Sequence, residues 1–185
     1  MYIEELLHNT SNPYSCIKTE CGGFLTEAAS FPFFRLLPKT YDNIHKVKIR
    51  LQKKQNAFTE TFNETFKFAN LRQRAIFTTS HILEETETTE PFYVFPIDGY
   101  KFLYSKEVRN SNTDFKNAFD VILDSFNTEN EATGLVKDLL RYTYVSDNLN
   151  EAVEHEAEVI FYNIPFYYAV RSNSISYEDL LTSVL

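Results

Sequence analysis

A chain of 185 residues fits one domain, and 17 Phe and 12 Tyr within a hydrophobic share of 43% exclude intrinsic disorder for most of it. Four Gly exclude collagen-like and Gly-rich repeat architectures, and no apolar run approaches the roughly 18 residues of a membrane-spanning helix. The net charge of −8 argues against a dedicated nucleic-acid binder.

In chain order, residues 1–30 read as an N-terminal arm, separate from a domain over 31–185. The arm holds an apolar cluster of Tyr2, Ile3, Leu6 and Leu7, turn residues from Asn9 to Pro13, and a flexible joint at Cys21-Gly22-Gly23. Its first fifteen residues lack the basic and apolar regions of a secretory signal. Phe31 to Leu37 is a β-type run closed by Pro38. His45 to Leu51 alternates, which predicts a half-buried strand with Lys46, Lys48 and Arg50 on its exposed face. Phe58, Phe62 and Phe66 recur at helical spacing, with Leu71 near the same stripe. Ala75-Ile76-Phe77 then leads into Thr78-Thr79-Ser80.

Glu84 to Glu90 reads as a solvated loop. Phe92–Phe95 and Tyr100–Tyr104 flank Pro96-Ile97-Asp98-Gly99, the pattern of a β-hairpin. Phe115, Ala118, Phe119, Ile122 and Phe126 predict a helix with Thr113 as N-cap. Leu135, Val136, Leu139 and Leu140 are expected on the inward side of a second helix over 131–142. Val159–Tyr162 and Phe166–Val170 flank Asn163-Ile164-Pro165 and predict a second hairpin or tight strand pair. Ser176 followed by Asp179 opens a C-terminal helix carrying Leu180, Leu181, Val184 and Leu185. The expected class is therefore α+β: a single domain, mainly antiparallel sheet, with three to four helices.

Charge is unevenly spread. Residues 31–80 carry ten Lys and Arg against three Asp and Glu, a net of +7, while the remainder carries 8 against 23, a net of −15. Such a polar molecule suits head-to-tail docking or the capture of an anion. Cys16 and Cys21 are expected to be reduced thiols. The four scattered histidines supply no metal-ligand spacing, so no metal is expected. Phosphate-loop, nucleophile-elbow, zinc-protease and paired-cysteine motifs are all absent.

One constellation carries chemistry. Arg35 lies in Phe33-Phe34-Arg35-Leu36-Leu37, Thr78-Thr79-Ser80 follows Ile76-Phe77, and Glu156-Ala157-Glu158 precedes Val159-Ile160-Phe161. This order resembles the mono-ADP-ribosyltransferases of the R-S-E type, some of them encoded by phages. The resemblance implies NAD, with Arg35 on its phosphates and the hydroxyl motif, including Ser80, ordering the nicotinamide pocket. It further implies Glu158 at the ribose, stabilising positive charge at the anomeric carbon, and Glu156 helping to select an arginine acceptor. The physics agrees: a guanidinium matches pyrophosphate, and a fixed carboxylate favours a developing cation.

The composition supports a different expectation more directly. Abundant Phe, Tyr, Asn and Ile with little Gly and no Trp is the usage of AT-rich coding sequences common in bacteriophages. The leading expectation is a non-enzymatic, virus-like structural, assembly or host-factor-binding protein. It would need no cofactor and would act in a virion or host cytoplasm. Its partners would be proteins, including like subunits, rather than nucleic acid or membrane. The expected contact residues are Lys46, Lys48, Arg50, Leu181 and Leu185.

Overall fold

The computed structural model describes residues 14–28, 30–51, 56–111, 113–126 and 128–185. The apolar cluster expected at residues 2–7, and the turn residues from 9 to 13, lie outside them. Eight strands form one antiparallel sheet: β1 (Phe34–Pro38), β2 (Ile44–Lys48), β3 (Ile76–Thr79), β4 (Thr89–Pro96), β5 (Lys101–Ser105), β6 (Tyr144–Val145), β7 (Glu158–Tyr162) and β8 (Phe166–Arg171). Their order is β2-β8-β4-β1-β3-β7-β5-β6. Five strand pairs run for four or five residues each, but β1 meets β3 through the single pair Phe34 and Thr79. That weak seam divides the sheet into two leaves. Phe33 beside the seam packs edge-on against Phe161 of β7, with ring centroids 5.5 Å apart.

Both expected hairpins are corrected here. The turn at residues 96–99 does form, with Gly99 at φ +89°, a conformation natural to glycine. Yet β4 pairs with β1 and β8, whereas β5 pairs with β6 and β7. Likewise β7 pairs with β3 and β5, and β8 with β2 and β4. Each turn carries the chain from one leaf to the other. These strands are apolar on both sides, so each requires two strand neighbours and cover on both faces, which a local hairpin does not supply.

Helices cover the sheet: α1 (Ser15–Glu20), α2 (Gly22–Ala28), α3 (Ala57–Thr65), α4 (Asp114–Ser125), α5 (Glu129–Thr143), α6 (Leu149–Glu154) and α7 (Tyr177–Val184). There are seven among the described residues, more than expected, and α3, α4, α5 and α7 have eight residues or more. The fold is α+β.

In α3, Asn56 accepts the Thr59 N–H at 2.8 Å, and Phe58 and Phe62 are buried one turn apart. In α5, the Thr128 hydroxyl accepts the Glu131 N–H at 3.3 Å and donates to Glu131 Oε2 at 2.9 Å, while Ala132, Val136 and Leu140 face inward. Leu135 and Leu139, expected inward, are exposed, because the buried stripe runs one position out of phase with them. Thr113 precedes α4 without capping it. The Asp114 carboxylate instead accepts the N–H groups of Arg109 and Asn110.

Residues 15–28 do not stand apart from the domain as an arm. Ile17, Cys21, Phe24, Leu25 and Ala28 are buried in the main core. Gly22 and Gly23 open α2 rather than form a joint, and the Gly23 N–H donates to Asp98 Oδ1 at 2.8 Å. Phe24 touches Phe33, Phe95 and Phe161, so α2 packs against both leaves. At the other end, Leu180 and Val184 of α7 are fully buried in the same core. A second core, built from α3, α4 and α5, covers Leu103, Ile160 and Tyr162 on the opposite face of the second leaf.

Candidate functional site

The seam places the three motif-bearing strands side by side. Phe34 of β1 lies opposite Thr79 of β3, and Thr79 lies opposite Glu158 of β7. At this level a cleft of about 630 Å³ opens. It is lined by Phe34, Arg35 and Leu36 from β1, Phe77, Thr78 and Thr79 from β3, then His81, Leu83, Arg109, Asn110, Glu156 and Glu158. Three of the four residues singled out for catalysis, Arg35, Glu156 and Glu158, therefore line one cleft. Ser80 does not; its hydroxyl is 3.5 Å from the Val153 carbonyl. The hydroxyl residues on the wall are Thr78, which donates to the Val159 carbonyl across the β3–β7 pair at 3.0 Å, and Thr79, bonded to His81 Nδ1 at 2.5 Å.

Glu158 starts β7 and is only 7% exposed. Its Oε2 accepts the Ser111 N–H at 3.1 Å. Behind it lies Arg72, in a 3-10 turn (Arg72–Arg74), also buried, donating from Nη1 to the Ser111 hydroxyl at 3.0 Å. The Arg72 guanidinium sits 4.8, 5.0 and 5.0 Å from the ring centres of Phe58, Phe62 and Phe77. Burial raises the Glu158 carboxyl above the usual carboxylate range, while the Ser111 hydrogen bonds and the Arg72 charge oppose that rise. Burial also lowers the Arg72 guanidinium. The buried Tyr144 hydroxyl is raised by burial and by the Glu158 charge. The carboxylate is thus held by the Ser111 N–H and steadied by the charge of Arg72, which is itself bonded to the Ser111 hydroxyl, while it lines the cleft. Sequence reasoning missed Arg72, Ser111, Arg109 and His81. The one available signal was an arginine at 72 within a segment whose neighbours are Phe58, Phe62, Phe66, Phe68 and Phe77.

Glu156 is held differently. It follows α6 at φ +50°, in the left-handed region. Its N–H reaches the Val153 carbonyl at 3.0 Å, and the Ala157 N–H reaches Ala152 at 2.9 Å. This double bond pattern ends a helix and normally uses glycine at the Glu156 position. A glutamate there costs about 1–2 kcal/mol of backbone strain. Its side chain projects into solvent and pairs with Arg109 at 3.7 Å.

Arg35 makes no ion pair among the described residues. Its charge acts on the buried Tyr167 hydroxyl, lowering it against the rise caused by burial.

The residues expected to make protein contacts are dispersed. Lys46, Lys48 and Arg50 are exposed, but β2 ends at Lys48, leaving Arg50 beyond the strand. Lys46 pairs with Glu20 at 3.5 Å and lies 3.7 Å over the Phe166 ring. Leu181 is half-buried against its own core, and Leu185 is 66% exposed. Both cysteines are free thiols, and burial raises that of Cys21. Among the described residues, no group of three or more His, Cys, Asp or Glu could hold a metal ion. No helix among them is long and apolar enough to cross a membrane. No family model, curated protein or solved structure matches this chain.

Proposed function

We propose that the chain is an NAD-dependent mono-ADP-ribosyltransferase acting at the β1–β3–β7 cleft. The carrying observation is that Arg35, Thr78-Thr79, Glu156 and Glu158, far apart in sequence, line one cleft at the ends of three neighbouring strands. The residues suit the substrate. Arg35, with no carboxylate partner among the described residues, is available for a pyrophosphate. Phe34, Leu36, Phe77 and Leu83 offer apolar walls to a nicotinamide ring. Glu158, anchored through Oε2, presents fixed negative charge where the ribose carbon becomes positive as its bond to nicotinamide breaks. Nicotinamide departs with the bonding electrons. The acceptor nitrogen forms the new bond, and exposed Glu156 takes up the proton that this nitrogen loses.

The test is transfer of labelled ADP-ribose from NAD to arginine-rich acceptors and to cell lysate. Glu158→Gln keeps an acceptor for the Ser111 N–H but takes the counter-charge from buried Arg72, so it is expected to stay folded at a lower melting temperature and to lose transfer. If the wild-type protein transfers no label to any acceptor and releases no nicotinamide, the proposal is wrong.

A second reading, contact with like subunits, is favoured by a separate surface. Leu135, Leu139 and Tyr142 recur at i, i+4 and i+7 on the outward side of α5, with Tyr142 84% exposed, and Asp138 and Arg141 lie on the same helix. Sedimentation of wild type against Leu139→Glu tests it: a dimer lost in the variant supports this reading, and a wild-type monomer at high concentration removes it.

A further inference from the structure

A second cleft, of about 460 Å³, shares Arg35 with the first. Its walls include Arg35, Tyr41, His45, Val47, Arg50 and Tyr167, with Ala75 and Ile76 contributed from the start of β3. The strand register decides which side chains share this face. Val47 pairs with Tyr167, Tyr167 with Pro96, and Arg35 with Phe92, so His45, Val47, Tyr167 and Arg35 lie on one side of the first leaf. Lys46 and Lys48 alternate to the other side and stand at the rim. No Asp or Glu lines this cleft, although the chain carries 26 of them. Neither Lys48 nor Arg50 makes an ion pair among the described residues.

The walls are held in place. Arg171 donates to the backbone carbonyls of Lys39 and Tyr41, fixing the turn between β1 and β2. Tyr41 stacks on His45 with ring centres 4.1 Å apart and planes 21° from parallel. The Ile49 N–H bonds the Pro165 carbonyl at 2.9 Å, which fixes the chain as it leaves β2 towards Arg50. The cleft thus combines Arg35, Lys48 and Arg50, none of them in an ion pair among the described residues, with a stacked aromatic pair and an apolar floor of Val47, Ile49 and Ile76. Cations match phosphate oxygens, the flat pair matches a planar ring, and the volume falls in the range of small-molecule sites.

We propose that this cleft binds the phosphate groups of a nucleotide-sized ligand, using Arg35 and Arg50. The inference needs only these side chains and does not rest on the transferase reading. The same diphosphate chemistry is offered by a free nucleoside diphosphate and by the ADP half of a dinucleotide reaching from one cleft into the other, since Arg35 serves both clefts.

The experiment is calorimetric titration of the full chain with ADP, adenosine and NAD. ADP is expected to bind, adenosine to bind far more weakly, and Arg50→Glu to weaken ADP by about tenfold or more at unchanged melting temperature. His45→Ala, which removes half of the stacked pair, is the second variant and is expected to weaken ADP while leaving inorganic pyrophosphate less affected. NAD that competes with ADP identifies the dinucleotide as the source. ADP that binds alongside saturating NAD identifies a separate nucleotide; both outcomes support the phosphate site. Glu158→Gln is expected to leave ADP affinity unchanged, so ADP binding without any transfer by the wild type sinks the transferase alone. ADP affinity unaltered by Arg50→Glu overturns the inference. So does adenosine binding as tightly as ADP, or poly-glutamate competing equally well, which would mark the cleft as a docking face for acidic protein.

Discussion

Arg72→Met tests whether Glu158 is held as described. The substitution keeps volume under Phe58, Phe62 and Phe77 but removes the guanidinium opposing the burial cost of the Glu158 charge. Removing one member of a buried charge pair costs about 3–5 kcal/mol. Methionine packs acceptably against aromatic rings, so the lower end, about 3 kcal/mol, applies near neutral pH. For a domain of this length that corresponds to a melting temperature lower by about 6–12 °C. The sign with pH follows from Glu158, whose folded-state carboxyl is raised above the usual range by burial. Tyr144, Ser111 and Asp114 also face it, and Asp114 adds to the rise. A raised carboxyl costs nothing below its unfolded value and destabilises increasingly as pH climbs through the folded one. Losing Arg72 raises it further, so the deficit of the variant should be smaller at about pH 5 than at about pH 8. Urea denaturation of both proteins at the two pH values measures this. A deficit independent of pH, or larger in acid, would refute the claim that Arg72 sustains the Glu158 charge.

Three further outcomes are expected. Glu156→Gly relieves the left-handed backbone and should raise stability by about 0.5–1 kcal/mol in urea denaturation while impairing transfer; a loss of stability would show the Arg109 contact to matter more than the strain. Deleting residues 176–185 strips Leu180 and Val184 from the main core and should cost about 3–6 kcal/mol even in a monomer, whereas an unchanged melting curve would contradict the docking of α7. Asp98→Ala removes the acceptor of the Gly23 N–H and should cost about 1 kcal/mol, with faster amide exchange confined to α2; exchange unchanged in α2 would contradict that role.

The parts of the fold legible in the sequence are those set by local periodicity. Phe58 and Phe62 announced α3, and Leu135, Val136, Leu139 and Leu140 announced α5, although its buried stripe is Ala132-Val136-Leu140. Strand pairing was not legible. Pro96-Ile97-Asp98-Gly99 encodes a reversal but not its destination, and the neighbour of β4 was decided by burial on both faces rather than by the turn. Of the site, the order of Arg35, the hydroxyl motif and Glu156-Ala157-Glu158 was visible, but not which hydroxyls line the cleft. Thr78 and Thr79 do so, because the strand ends at Thr79 and Ser80 turns towards Val153. Arg72 entered only as one of the ten cations of residues 31–80, since a charge buried under three phenyl rings leaves no period in the sequence. The strain at Glu156 was equally silent, because it arises from the helix end before it rather than from the residue itself.

The pairing of β2 has a consequence for synthesis. That strand is at the edge of the sheet and its one neighbour is β8; Val47 waits for Tyr167, 120 positions later. At ordinary translation rates the interval is about 6–24 s, during which the nascent segment has no partner. An extended apolar segment left unsatisfied so long invites pairing with other chains. In β2 two of the three side chains on the outer face, Lys46 and Lys48 beside Ile44, are lysines, and such charges act as gatekeepers against edge-to-edge aggregation. Lys46 and Lys48 therefore protect the emerging polypeptide before they have any role in the finished one, and replacing both with valine should show first as lost yield during expression rather than as a lower melting temperature.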